Sequence, residues 1–462
     1  MRGWDWMGRR PAAVVAVAAC AFAALPAGAG AKVTFKRLST VNASSAAAVA
    51  MARTANGTLH LVFQTFAGRA FSGLATMSIS TSGAPGPQIP ALSSWATTQP
   101  GLVASPTGGL TAFFGAANPS LFSTVWGMSS MNGGSTWGAP FDVRGTGPNE
   151  ALADAADVTA IMSGATPVLA LPHAGNLVIQ VGLGPTAANY QLTTPANASM
   201  TDADLAVDAA THQVVAGWRS LNGAGGDWLQ GAAPISAAQP VPGQPRNALI
   251  PSGRDKGAGV YAAYTSDGSH VRLLRYGGGS VAVGAVPGLA AKALGTATGP
   301  DGRIWVFWGT DSPSGIAVTR SNRAVTRFEP LQRVNSNAFT LYRLSGDGRL
   351  GPLDLFADEI PNANTVVPAG NYYARVLPLL SASVKVKAIK NGKGKVIAHT
   401  VTVTVTDAGD AVPGATVAIA GKKAKTNASG VATVTVPGGS SGKATLTVTH
   451  AGYQPLTLTV KL

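Results

Sequence analysis

One local pattern returns seven times between residues 45 and 357: a weakly apolar segment, a turn that usually holds glycine, then an apolar strand rich in aromatics. The turns centre on residues 57, 109, 164, 212, 258, 302 and 348, so the steps between them are 52, 55, 48, 46, 44 and 46 residues. The strands that follow cover 59–63, 110–114, 167–171, 214–218, 260–264, 304–308 and 350–356. A unit of this size, built of short strands, cannot bury both of its faces alone. Stacking successive units around an axis buries them, which is the architecture of a β-propeller. Seven occurrences allow six or seven blades, because the first and last can together close one. The aromatic pairs Phe113/Phe114 and Trp305/Trp308 are expected in the blade core.

Composition agrees with an all-β chain. Gly, Thr, Ser, Val and Ala dominate, only 12% of residues are charged, and long segments with a helical period are absent outside the N-terminus. The Ala- and Gly-rich character suggests a bacterial protein from a GC-rich genome. The first ten residues carry Arg2, Arg9 and Arg10 against Asp5; an apolar run covers 12–25, and small residues stand at Ala29 and Ala31. This three-part pattern predicts a secretory signal peptide over 1–31, with Lys32 as the mature start. Two alternatives stay open. Val17-Ala18-Ala19-Cys20 fits a lipobox that would lipidate Cys20, and Arg9-Arg10 offers a twin-arginine pair. No other apolar stretch is long enough to span a membrane, so a secreted or cell-surface protein is expected, without a transmembrane segment. Cys20 is the only cysteine, so the mature chain has neither disulfides nor a cysteine metal site.

The net charge of +14 is unevenly placed. Residues 32–380 hold four Lys and seventeen Arg against seventeen acids, whereas 381–462 hold ten Lys, no Arg and two Asp. That change marks a domain boundary near Leu380. A lysine-rich solvated surface explains it; so does adhesion to an anionic cell-envelope polymer. No nucleic-acid motif accompanies the charge, so no nucleic-acid partner is expected.

One blade carries a specific signature. Ser130-Met131-Asn132-Gly133-Gly134-Ser135-Thr136-Trp137 resembles the Asp-box of BNR and sialidase proteins, S-x-D-x-G-x-T-W, departing only at Asn132. The candidate structural residues are Ser130, Asn132, Gly134, Thr136 and Trp137, and Val125-Trp126-Gly127-Met128 supplies the preceding strand. A decayed copy covers 321–328 after Ile316-Ala317-Val318-Thr319. The resemblance implies a sialidase-like fold but says nothing of activity, because the box lies away from the family's substrate site. Active sialidases also use three arginines, an acid/base Asp and a Tyr nucleophile assisted by Glu. The family's Phe/Tyr-Arg-Ile-Pro motif is absent, with Phe35-Lys36-Arg37-Leu38 the nearest approach. Glutamates are limited to Glu150, Glu329 and Glu359. No catalytic residues, cofactor or metal are therefore assigned.

Ligands of propellers bind where strands enter the centre. Two segments there concentrate acids: Glu150, Asp154 and Asp157 in one, Asp202 and Asp204 in the next. Arg219 and Trp228 follow in the second blade. Together these could grip a sugar or a cation; turn capping accounts for them equally, with Asp208 closing its own hairpin. The histidines form no zinc spacing, and no P-loop, nucleophile elbow or dinucleotide fingerprint occurs.

From Val384 onward, long alternations of Val and Thr predict strands with one buried face. Val405-Thr406-Asp407, Pro413-Gly414-Ala415-Thr416-Val417, Thr426-Asn427-Ala428-Ser429-Gly430 and Ala451-Gly452-Tyr453 resemble the carboxypeptidase regulatory-like domain, a transthyretin-type β-sandwich. The expected organisation is a signal peptide (1–31), a six- or seven-bladed sialidase-like β-propeller (32–380) and a small β-sandwich (381–462). The leading functional expectation is a monomeric, non-catalytic protein that binds a glycan or other surface ligand. An exo-acting glycoside hydrolase of sialidase type and a structural surface scaffold are the alternatives.

Overall fold

The apolar strand after each repeated turn is hydrophobic on both sides because sheets press on it from both sides. In the computed structural model, residues 33, 35–38, 49–67, 70–93, 95–117, 124–143, 158–173, 176–192, 200–220, 226–243, 249–265, 270–285, 293–311, 314–334, 340–360, 370–439 and 442–462 are described. They form nine antiparallel sheets, and among them no helix is long and apolar enough to cross a membrane. Segment 1–31 lies outside the described residues, as do Glu150, Asp154 and Asp157.

Seven sheets precede residue 377. The first strands of sheets 1 to 7 are Ala50–Arg53, Gly101–Ala104, Thr159–Ser163, Met200–Val207, Ser252–Gly253, Leu294–Thr298 and Thr340–Asp347. Residues from all seven line one cavity, so they surround a common axis as in a propeller. The repeated turns lead from each of these strands to the next one out. Glycine is required at several of them: Gly57, Gly108 and Gly302 have φ of 87°, 90° and 79°. Second strands then stack. Ile304, Val306 and Trp308 of sheet 6 pack on Tyr261 and Ala263 of sheet 5, while Trp305 and Phe307 pack on Leu344, Leu353 and Leu355 of sheet 7. Adjacent residues of one strand thus fill opposite cores, which is why these strands read as unbroken apolar runs.

Closure joins distant parts of the chain. Lys36–Arg37 is the outermost strand of sheet 7, pairing with Gly370–Val376. Arg53 of sheet 1 donates Nε to Asp347 at 2.7 Å and Nη2 to Asp354 at 2.6 Å, both in sheet 7. Leu59, Leu61 and Phe63 pack on Phe356 and Tyr373 across the same seam.

The last two sheets face each other over a core of Val401, Val403, Val417, Val434, Leu446 and Val448. One contains Ser381–Lys390, Val396–Asp407, Asp410–Ala411 and Val431–Pro437; the other Lys422–Lys425, Thr416–Ile419, Lys443–Thr449 and Leu456–Lys461. This sandwich is bolted to sheet 6. Asp407, 1% exposed, receives Arg320 Nη2 at 2.6 Å, Arg303 Nη2 at 3.2 Å and the Tyr453 hydroxyl at 2.8 Å. Arg320 also lies over the rings of Trp305 and Tyr453. Glu329 accepts Arg320 Nε at 3.1 Å and the Leu379 amide at 3.0 Å.

Burial pushes Glu329 well above the usual carboxylate range; Arg320 opposes this, but the hydrogen bond to Asp407 and its charge add to the rise. For Asp407 burial also acts upward, yet Arg320, the bond from Glu329, Arg303 and Tyr453 outweigh it and hold the group low. Asp407 Oδ1 is buried and accepts no hydrogen bond.

Arg53→Ala leaves two carboxylates buried at the seam and should destabilise the propeller by about 3–5 kcal/mol, read as a shifted denaturant midpoint. The latch gives a pH signature. Glu329, raised, stabilises docking fully below 4.5 and loses that contribution as pH rises through its folded pKa. Asp407, lowered, contributes above 3.8 and loses it as pH falls. Docking of the sandwich should therefore weaken on the alkaline side, and Glu329→Gln should flatten that limb while preserving docking. Limited proteolysis across the 377–381 junction at graded pH checks both.

Candidate functional site

The channel bounded by the seven innermost strands encloses about 400 Å³. Its walls are mostly small or aliphatic, including Ala52, Ala160, Met162, Leu205 and Thr296. Charge gathers at the end where the repeated turns lie. There Arg53 holds Asp347, and Asp255 accepts the backbone amides of Asp301 at 3.0 Å and Gly302 at 2.5 Å. Arg254 donates to the carbonyls of Gly302, Ala258 and Arg323. These groups tie neighbouring sheets together.

The opposite end, where strands enter the centre, has a different feature. Arg343 Nη2 of sheet 7 bonds Asp204 Oδ2 of sheet 4 at 2.5 Å. In a ring of seven, sheets 4 and 7 stand as far apart as two members can, so this pair crosses the axis. Both strands are irregular at the pair: the ladder register shifts between Thr201 and Asp204, and again between Leu341 and Arg343. Bulges of this kind re-aim a side chain. Only 16% of the Asp204 side chain and 13% of the Arg343 side chain is exposed.

Alternation along the strands decides which other predicted residues join this pair. Leu205, Trp218 and partly buried Trp228 pack with Val168 and Ala170 on the face toward sheet 3. Asp204 and Arg219, adjacent to Leu205 and Trp218, point to the other face. Trp228 therefore does not meet Asp204: its ring stacks on Trp218 at 5.6 Å and 16° and belongs to the blade core. Arg219 stands opposite Asp227 across the second and third strands, on the same face as Asp204. Its Nε is buried without a partner. Asp202 lies in the first strand of sheet 4, two residues nearer the mouth. Asp208 caps its turn, accepting the Ala210 and Thr211 amides, and it also accepts the Gly259 amide from sheet 5.

Arg343 was not singled out by the sequence reading. A signal existed: Asp204 and Arg343 each lie four residues before an aspartate, Asp208 or Asp347, that bonds the next sheet at the turn. They occupy equivalent places in the repeat.

The box residues sit at the turn between the third and fourth strands of sheet 2. Asn132 Oδ1 accepts the Thr136 amide at 2.9 Å, its Nδ2 donates to Thr136 Oγ1 at 2.8 Å, and Ser130 Oγ accepts the Gly134 amide at 2.8 Å. Trp137 packs into the core shared by sheets 1 and 2. The turn at 321–328 makes the same bonds: Asn322 Oδ1 accepts the Thr326 amide at 2.8 Å and Nδ2 donates to Thr326 Oγ1 at 3.1 Å. In both turns the asparagine supplies an acceptor and a donor to one threonine.

Among the described residues, no group of three or more His, Cys, Asp or Glu is placed to hold a metal ion. No family model and no curated protein matches the chain. Solved structures resemble it. A protein of unknown function from Dyadobacter fermentans DSM 18053 is 12% identical with a TM-score of 0.45, covering 74% of this chain and 98% of its own. The NanB sialidase from Streptococcus pneumoniae is 8% identical with a TM-score of 0.44, covering 74% and 69%. YCF48 from Cyanidioschyzon merolae is 11% identical with a TM-score of 0.41, covering 74% and 99%. Likeness at this level says nothing about activity.

If Asp204 and Arg343 are coupled across the axis, their alanine variants should be non-additive by about 1–3 kcal/mol in a double-mutant cycle on stability. Additivity would mean that the pair does not form in solution.

Proposed function

We propose that this protein is an exported, non-catalytic receptor that takes a carbohydrate ligand at the channel mouth beside Asp204 and Arg343. The cross-axis ion pair carries the reading. A guanidinium fork and a carboxylate held by two bulged strands offer donors and acceptors in fixed geometry, which suits a ligand rich in hydroxyl or carboxylate groups. Arg219, on the same face with an unpartnered Nε, extends the donor set. Asp202, in the first strand of sheet 4, would extend the acceptor set; Glu150, Asp154 and Asp157 are candidates on sequence alone.

Two-carboxylate hydrolysis needs one neutral acid and one available carboxylate about 5–10 Å apart. Asp255, Asp347 and Asp204 are already engaged by backbone amides or arginine, which supports binding over turnover. Export rests on the three-part N-terminal pattern, and the lysine-rich C-terminal module supports an anionic cell-envelope polymer as a second partner of the monomer. Arg343 beside a carboxylate also favours one other reading, a sialidase-type hydrolase in which this arginine grips the sugar carboxylate.

Glycan-array binding by the full chain should be strong for a subset of saccharides and fall at least about tenfold in Arg343→Ala, roughly the loss of one charge-assisted bond. A fluorogenic sialoside separates the second reading: steady turnover abolished by Asp204→Asn would replace the receptor with an enzyme.

A further inference from the structure

Both acids of the C-terminal sandwich point toward the propeller: Asp407 to Arg303 and Arg320, Asp410 to Arg303 and the Arg323 amide. The ten lysines are all exposed. The outer surface of the module is therefore cationic without internal compensation.

Five of these lysines, Lys385, Lys387, Lys390, Lys393 and Lys395, lie on one hairpin formed by Ser381–Lys390 and Val396–Asp407. Its base is core, with Val401, Val403 and Val405 fully buried. Its far half overhangs the opposing sheet. Residues 385–395 are all exposed, and Val386, Ile389 and Ile397 are 38%, 37% and 51% exposed. The tip is ordered: Asn391 Oδ1 accepts the amides of Lys393 at 3.1 Å and Lys395 at 3.0 Å. Lys385 and Lys387 share one face, about 7 Å apart by strand geometry.

The chemistry selects the occupant. Like charges this close repel unless an anion sits among them. Strand 381–390 is an edge, but lysines along an edge oppose pairing with another strand. The only Phe, Trp or Tyr in the module is Tyr453, whose hydroxyl is bonded to Asp407, so no ring is free to stack on bases. The exposed aliphatic residues are divided between two faces: Val386 stands opposite core residue Val401, whereas Ile389 stands opposite Ala398 on the outer face. No single apolar face exists to enter a bilayer. Sugar rings can cover scattered aliphatic groups while their carboxylates meet lysines.

We infer that the overhanging half of this hairpin holds the protein to an acidic polysaccharide. This deepens the reading of an anionic envelope polymer as partner and rests on it; it is independent of the channel mouth. The test uses the full chain and soluble polygalacturonate as probe, with neutral dextran and phosphatidylglycerol vesicles as separate arms. The wild type should bind polygalacturonate, not dextran, and lose that binding as salt rises. Changing the five hairpin lysines to Gln should weaken binding at least about tenfold, whereas changing Lys422, Lys423, Lys425, Lys443 and Lys461 to Gln, an equal loss of charge, should cost less than about threefold. Matched melting curves control for folding. Equal losses in the two variants would overturn the hairpin as the site. A wild type that ignores polygalacturonate, whether or not it binds vesicles, would overturn the polysaccharide as well.

Discussion

Arg53 bonds Asp347 and Asp354, 294 and 301 residues further along the chain, and the integrity of the ring depends on that junction. Without it, sheets 1 and 7 would each expose a face built for burial. The energy of the seam comes mainly from its apolar side chains. Leu59, Leu61, Phe63 and Phe356 are each worth about 1.5–3 kcal/mol when buried, more than a buried ion pair returns after desolvation. The arginine contributes what apolar contacts cannot. Its two bonds fix sheet 7 against sheet 1 in one alignment, and a slipped arrangement would leave fully buried Asp354 to Tyr373 and Arg375 of its own sheet.

The sandwich is attached by the same logic, through buried arginine–carboxylate bonds. Arg303 and Arg320 meet Asp407 and Asp410 there, and a third carboxyl, Glu329, pairs with Arg320 at 3.1 Å while burial pushes its pKa upward. Fixing the sandwich in this way has a consequence for its surface. The two acids that could have neutralised its lysines face the propeller instead, so the mature module presents a single sign of charge outward.

Much of this was legible in the residues. The period of the turns predicts the stacked sheets, because each turn precedes a strand that must be apolar on both sides. The box at 130–137 and its weak copy at 321–328 predict one kind of turn, and the bonds of Asn132 and Asn322 agree although neither residue is Asp. In the C-terminal module the quoted motif residues have plain tasks: Thr426 bridges the Ala415 amide and the Val412 carbonyl, Asn427 caps the turn to Val431, and Tyr453 reaches Asp407. What could not be read was contact across the ring. Trp228 and Arg219 are close in sequence distance from Asp204, yet strand alternation sends Trp228 to the other face. Arg343 is 139 residues from Asp204, and only closure of the ring brings them together. The task of Asp407 was equally hidden, since Arg320 lies in a different domain.

The two ends of the ring differ in construction. At the turn end, short connections are capped by Asp208, Asp255, Asn132 and Asn322, and the sandwich is fixed there through Arg303, Arg320 and the amide of Arg323. The polar groups named at that end serve the fold. At the mouth, Asp204 and Arg343 pair across the axis from two strands that depart from regular pairing. The transverse ion pair joins sheets 4 and 7 directly. A ligand at the mouth, as proposed above, would give these departures from regular pairing a purpose.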